Sequence, residues 1–335
     1  MTKIEWTEKT WNPICGCSKL SPGCLNCYAE KMACRLQRMY DSDPYGKYKH
    51  LEKYLDVVGF DHHAGKYNQW NGTTQFDEKA LTKPLHWKKP RMIFVCSMGD
   101  VFHESVPFEW VDKVMAVIAL CPQHTFQVLT KRPERMAAYF RQERLHTMVT
   151  CMMVDVLCDT NPTADLPDQS GPWPLPNLWL GVTAENQEQA DIRIPILLQI
   201  PAAVRFVSVE PMLGPVDLSR YICMTVKCPE CKNIDNIDHF DVLGADDDKL
   251  FCNRCDKEVV VEELDPLNWV ICGGESGPKR QIRIMHNNWA YRLLQQCEDN
   301  TAFFMKQTNI GGKVCKDITQ FPKELQVRQF PVQED

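Results

Sequence analysis

Six short apolar runs recur along this chain, each stopping at a polar cluster. This rhythm limits the available folds more than any other feature. Met92-Ile93-Phe94-Val95-Cys96 stops at Ser97-Met98-Gly99-Asp100, Phe126-Gln127-Val128-Leu129 at Thr130-Lys131-Arg132, and Leu178-Trp179-Leu180-Gly181-Val182 at Thr183-Ala184-Glu185-Asn186. Phe206-Val207-Ser208-Val209 stops at Glu210-Pro211, Trp269-Val270-Ile271-Cys272 at Gly273-Gly274-Glu275-Ser276, and Phe303-Phe304-Met305 at Lys306-Gln307. Runs this short and continuously apolar suit strands buried on both faces of a parallel sheet. Helical spacing lies between several of them, over 108–120, 133–141, 187–199 and 288–297, and a further helix is predicted over 29–40. The alternation predicts βα units and an α/β fold. In barrels of such units functional groups collect where strands end, so the polar residues there are read as a shared site.

The length of 335 residues suits an α/β barrel with insertions. The barrel is expected over 1–221 and 267–335. Residues 41–90 read as a polar, aromatic insertion with some short structure, 142–177 as a long loop, and 222–266 as a separate insertion. A net charge of −6 gives no global attraction to nucleic acid or to an anionic membrane. The opening Met1-Thr2-Lys3-Ile4-Glu5-Trp6 lacks an apolar signal core, and no apolar run approaches membrane-spanning length. The expectation is a reducing cytoplasm, where clustered cysteines read as metal ligands or reactive thiols before disulfides.

Four cysteines crowd into thirteen residues: Cys15, Cys17, Cys24 and Cys27. With Gly and Pro between them they are expected on a loop, converging on one metal centre. Four thiolates suit zinc or an iron–sulfur cluster. Three, most economically the Cys-x6-Cys-x2-Cys set of Cys17, Cys24 and Cys27, leave one iron of a [4Fe–4S] cluster open. Cys15 is then a spare, or a fourth ligand that closes the site. The second set, Cys228-Pro229-Glu230-Cys231 and Cys252-Asn253-Arg254-Cys255, has two knuckles twenty residues apart, the signature of a zinc ribbon. Asp235, Asp238, Asp241, Asp246, Asp247 and Asp248 make this module acidic. It therefore reads as a zinc-held insertion for protein contact or substrate gating rather than for binding a phosphate backbone.

The stretch from Thr10 to Glu30 resembles the phage Gp37/Gp68 family, a three-cysteine-motif family also known as DUF5131. Other stretches share the resemblance: Phe94 to His103, Val128 to Pro133, Trp179 to Thr183, Phe206 to Met212, Val270 to Gly277 and Phe303 to Gln307. It spans the chain except for about 41–75, 142–177 and the zinc ribbon. The family in turn looks like a relative of radical S-adenosylmethionine (SAM) enzymes. That resemblance implies a partial (β/α)6 barrel of TIM type and a three-cysteine loop after the first strand. It also implies a [4Fe–4S] cluster whose open iron holds SAM, and a reductase or other electron donor as partner. Two departures stand out. The superfamily's first cysteine gap is three residues, and here it is six. Its Gly-Gly-Glu motif follows the second strand, where this chain has Ser97-Met98-Gly99-Asp100; Gly273-Gly274-Glu275 follows a late strand instead.

On this reading Asp100, Thr183, Glu210, Gly273, Gly274 and Glu275 bind SAM. Lys131, Arg132 and Lys306, with Arg280 and Arg283 nearby, form a basic mouth for an anionic substrate, a nucleotide or nucleic acid. Each has a plainer reading: Asp100 as a helix cap, Glu210 in an internal ion pair, the glycines in a tight turn. Two other functions compete. One is a non-catalytic protein holding zinc at both cysteine sets and presenting a surface to a protein or nucleic acid. The other is a radical enzyme that modifies a protein docked on the acidic ribbon.

Overall fold

A computed structural model of the chain describes residues 4–160, 173–223, 225–236, 240–242, 250–255, 257–259, 262–277, 281–297 and 301–332. The chain divides into two compact units, Met1–Gly181 and Val182–Asp335.

The first unit contains β1 (Lys9–Trp11), β2 (Ile14–Cys15), α1 (Tyr28–Asp41), β3 (Val58–Asp61), β4 (Lys66–Trp70), β5 (Gln75–Phe76), α2 (Glu78–Leu81), β6 (Met92–Val95), α3 (Phe108–Ala119), β7 (Thr125–Thr130), α4 (Pro133–Phe140) and α5 (Leu145–Thr160); β8 (Leu178–Thr183) runs across the division. β1 pairs parallel with β6, Trp11 opposite Val95, and β6 pairs parallel with β7, Phe94 opposite Gln127. The side chains of Trp11, Ile93, Val95, Phe126 and Val128 are buried, and Trp11 packs edge-on against Phe126. The insertion holds the β3–β4 hairpin, and β5 pairs antiparallel with β2.

One expectation for this unit is corrected. The segment read as a long loop, 142–177, contains the sixteen-residue helix α5. Leu145, Val149, Met153 and Val156 recur at helical spacing and are buried, and no Gly or Pro interrupts the segment before Pro162. The Pro, Ser and Gly residues that suggest a loop all follow the helix; 161–172 lie outside the described residues.

The second unit continues with α6 (Gln187–Leu198), β9 (Val204–Val209), β10 (Thr225–Lys227), β11 (Ile234–Asn236), β12 (Phe240–Val242), β13 (Leu250–Cys252), β14 (Lys257–Val259), β15 (Glu262–Leu264), β16 (Trp269–Gly273), α7 (Asn287–Gln296), β17 (Ala302–Ile310) and β18 (Lys313–Cys315). β9 and β16 pair parallel with Phe206 opposite Trp269, β16 and β17 with Ile271 opposite Phe304, and β17 turns back antiparallel into β18. Every residue of β8, β9 and β16 is buried, as the mostly apolar make-up of these strands requires.

The principal sheet has the order β1-β6-β7-β8-β9-β16-β17-β18. The fold is therefore mixed α/β. All six runs read as strands from the sequence are strands of this sheet, and β1 and β18 extend the order at its two ends. Between β9 and β16 the chain forms two three-stranded antiparallel sheets, β11-β10-β15 and β12-β13-β14. The Leu267 N–H donates to the Tyr221 carbonyl at 2.8 Å, which ties together the two ends of that segment. No helix among the described residues is long and apolar enough to cross a membrane.

Candidate metal centre

The first cysteine group occupies the connection from β1 to α1, with one exception. Cys15 is in β2, opposite Gln75, and is fully buried. Its thiol is pushed up to about 11 by burial, against the pull of Lys53 and a hydrogen bond with Tyr54. It packs in a cluster with Ala33, Tyr54, Val57 and Met98. The expectation of four cysteines on one loop is thus corrected: strand pairing takes Cys15 out of the loop.

Gly16 makes the transition from strand to loop. Its φ of +98° is open to glycine, and a Cβ there would meet the Thr73 carbonyl oxygen at 2.2 Å. Its N–H donates to the Met98 carbonyl at 3.1 Å, and the Gly72 N–H donates to the Cys17 carbonyl at 3.2 Å. Cys24 ends a short 3-10 turn, and Cys27 is the N-cap of α1. Lys19 pairs with Glu30 of α1 at 3.0 Å, and the Tyr28 hydroxyl donates to the Ser97 carbonyl at 2.8 Å. These contacts hold the loop against the end of β6.

Cys17 sits at the centre of a charged network. Its thiol is pushed up to about 12, first by burial and then by Asp100; Arg132 pulls it down, while Cys27 and Cys24 push it up further. Arg132 Nη1 reaches the Cys17 sulfur at 3.8 Å and Asp100 Oδ2 at 3.1 Å. Its Nε donates to both oxygens of Glu104 at 2.9 Å, and its Nη2 to Ser18 Oγ at 2.8 Å. Asp100 also accepts from the Thr130 hydroxyl at 2.8 Å and the Phe102 N–H at 2.9 Å. His103 bridges Ser18 Oγ (2.8 Å) and Ser105 Oγ (2.9 Å). The Ser105 N–H donates to His103 Nδ1, which places the imidazole proton on Nε2, facing Ser18. Burial first, then Arg132, hold His103 below its ordinary value.

Asp100 and Arg132, named from the sequence for SAM and substrate, are therefore paired with each other and nearly fully buried. Lys131 is different: its backbone N–H faces Asp100, its side chain is half-buried, and no carboxylate among the described residues pairs with it. Sequence reasoning did not single out Ser18, Glu104 or Thr130. Ser18 adjoins Cys17, and Glu104 and Thr130 flank residues already named.

The other strand-end residues belong to the second unit. Lys306 donates to both oxygens of Glu210 at 2.7 and 2.8 Å, and Gln307 adds a bond to Glu210 at 3.2 Å. Gly273 has no room for a side chain without crowding Glu210 and Gln307, and a Cβ on Gly274 would meet Asn309 Oδ1 at 2.6 Å. The glycines thus admit neighbouring side chains of the protein itself. Glu275 pairs with the Arg283 guanidinium and accepts from the Arg283 N–H at 2.8 Å. Thr183 is buried, its carbonyl accepting from Arg193 at 2.7 Å. Arg280 lies outside the described residues.

The second cysteine set converges. The sulfurs of Cys228, Cys231, Cys252 and Cys255 lie within 4.8 Å of one another, so the four can hold a metal ion. Cys228 faces Cys255 at 3.8 Å and Cys231 faces Cys252 at 3.7 Å. At a Zn–S distance of about 2.3 Å a tetrahedral site spaces its sulfurs about 3.8 Å apart. Burial works against the Cys228 thiolate, but the N–H groups of Cys231 and Glu230 outweigh it and hold the thiol at about 7. Asp235 is on β11 and Asp241 on β12; Asp238, Asp246, Asp247 and Asp248 lie outside the described residues.

The model of one family, described as a protein of unknown function (DUF5131), matches residues 1–331. The chain belongs to the DUF5131 family. No curated protein and no solved structure matches it.

Proposed function

We propose that this DUF5131 protein is an iron–sulfur enzyme of radical SAM type. Cys17, Cys24 and Cys27 would ligate a [4Fe–4S] cluster, and Cys228, Cys231, Cys252 and Cys255 a structural zinc in a ribbon. One observation carries the reading: the β1–α1 connection presents three thiols free of disulfides, while Cys15 is held in β2 and fully buried. The donor set fits the group. Cys17 is half-buried near two other thiols, and its proton is hard to remove; a metal ion in place of that proton would supply the missing positive charge.

When bound between Cys17, Cys24 and Cys27, such a cluster would supply one-electron transfer from an external donor to SAM. The chain's own groups shape the surroundings. Asp100 holds Thr130 and Arg132 in place at the end of β7. Glu210 and Glu275, each compensated by its own cation, fix the turns after β9 and β16. Their assignment to SAM binding, with Thr183, Gly273 and Gly274, belongs to this proposal. Lys131 is the strand-end cation left for an anionic substrate of the nucleotide or nucleic acid class; Arg132 and Lys306 are committed to internal pairs. The zinc module, with Asp235 and Asp241, is the proposed contact for a protein partner. The partial (β/α)6 barrel and a cytoplasmic setting complete the reading.

A second reading is a non-catalytic protein with zinc at both sites; the observation that favours it is the close convergence of the Cys228, Cys231, Cys252 and Cys255 sulfurs. One experiment separates the two: anaerobic purification with iron, sulfide and zinc counts, followed by a SAM cleavage assay with a chemical reductant. About four iron and one zinc per chain, with 5′-deoxyadenosine produced, supports the enzyme. Two zinc and no iron supports the binding protein.

A further inference from the structure

We infer that Arg132 is a positioning residue of the N-terminal metal centre, which raises the cluster's electron affinity by donating a hydrogen bond to the Cys17 sulfur. The inference rests on the iron–sulfur reading above. Its basis is how the guanidinium is used. Every N–H of an arginine fork points in a fixed direction, and here each has a partner inside the protein. Nε serves Glu104; Nη1 serves Asp100 and Cys17; Nη2 serves the hydroxyl and, at 3.4 Å, the carbonyl of Ser18. The side chain is 4% exposed. A guanidinium with no donor free and no surface open is not placed to receive a substrate. It is placed to act on what it touches, and among its contacts Cys17 is the candidate cluster ligand.

The direction of the effect follows from charge. Hydrogen bonds to cluster sulfurs, and charge near them, tune the reduction potential. Reduction adds a negative charge to the cluster, and a donor fixed beside a ligating sulfur stabilises that charge, the more so in a site that excludes water. Asp100 and Glu104 compensate the guanidinium and aim it, so the burial of its charge is tolerated. Lysine does not reproduce the arrangement, because an ammonium offers no planar fork that spans Asp100, Ser18, Glu104 and Cys17 together.

The test uses the full-length protein, reconstituted anaerobically with iron and sulfide, in a redox titration followed by electron paramagnetic resonance. Arg132→Lys is compared with wild type and with Lys113→Gln, a surface cation on α3. The expected result is an Arg132→Lys protein of wild-type iron content whose midpoint moves to more negative potential. The expected change is at least about tenfold in the reduction equilibrium, about 59 mV for one electron, with Lys113→Gln unchanged. Should Arg132→Lys lose iron, Arg132→Gln combined with Asp100→Asn, which leaves only the exposed Glu104 carboxylate without its guanidinium, is titrated in its place. A variant with full iron and an unmoved midpoint overturns the inference while leaving the iron–sulfur reading intact. A wild-type protein that takes up no iron overturns both.

Discussion

Lys306 and Glu210 meet in a two-oxygen ion pair, 2.7 and 2.8 Å, joining the middle of β17 to the end of β9; β17 runs on to Ile310, so Lys306 is not at a strand end as the sequence suggested. The side chains are 12% and 16% exposed. Breaking such a pair from one side leaves a charge with little water to solvate it. Lys306→Met is expected to lower stability by roughly 1–3 kcal/mol, and Glu210→Gln by less, because the amide still accepts from Gln307. The double variant should lose less than the sum. Denaturant titration of the four proteins measures the coupling; additive losses would show that the pair does not act as a unit.

Cys15 and Cys17 are two residues apart and are expected to differ completely as ligands. Cys15→Ala removes a buried sulfur from the cluster around Tyr54 and should cost roughly 1 kcal/mol of stability, with iron content unchanged. Cys17→Ser should lose the iron. Parallel iron and sulfide counts check this. Loss of iron in Cys15→Ala, in a protein whose circular dichroism is unchanged, would make Cys15 a fourth ligand and close the site.

In the four-cysteine segment the buried cluster among the described residues is Val226, Cys228 and Cys252, with Cys231 and Cys255 against it. A zinc ion held there, as proposed, would stand in for a core, and its removal should unfold the module. Cys231→Ser is expected to lose about one zinc per chain. Amide protons of β10, β13 and β14 should then exchange rapidly while those of β1, β6 and β7 keep their protection. Hydrogen exchange by mass spectrometry reads this directly; unchanged protection at β10 and β13 in the zinc-free variant would mean that the sheets hold without metal.

How far the sequence foretold these features depends on the range of the interactions. The strands were legible because β8, β9 and β16 are buried on both faces and so are mostly apolar, with Arg205 and Ser208 the polar residues within β9. The helix α5 was legible too, in the spacing of Leu145, Val149, Met153 and Val156, but the Pro-, Asp- and Ser-rich run behind it dominated the composition of its segment. The convergence of Cys228, Cys231, Cys252 and Cys255 was legible because two Cys-x-x-Cys pairs are a local spacing that can serve one metal site. The ion pairs were not. Lys306 and Glu210 are 96 residues apart, and Arg132 and Cys17 115. A cation at a strand end looks the same in sequence whether it faces solvent or a carboxylate brought up by the fold. Cys15 was hidden for a related reason: its pairing partner, Gln75, lies inside the 41–90 insertion.

His103 provides a pH signature of the same network. Burial and the Arg132 charge hold its folded value below the ordinary 6.5. The imidazole is neutral, accepting from the Ser105 N–H at Nδ1 and facing Ser18 through Nε2. Protonation would turn that acceptor into a donor facing another donor, next to a guanidinium. Because the folded value lies below the unfolded one, the stabilising contribution is complete above about pH 6.5 and is lost as the pH falls from there through the folded value. Glu104, 3.5 Å from Nε2, offsets part of this, but its side chain is 63% exposed and its charge is screened. Unfolding free energy measured between pH 8 and 5 should therefore decline below about pH 6.5. His103→Asn, which cannot take up the proton, should flatten that part of the profile at the expense of lower stability at pH 8. An identical slope in the two proteins would place the acid sensitivity elsewhere.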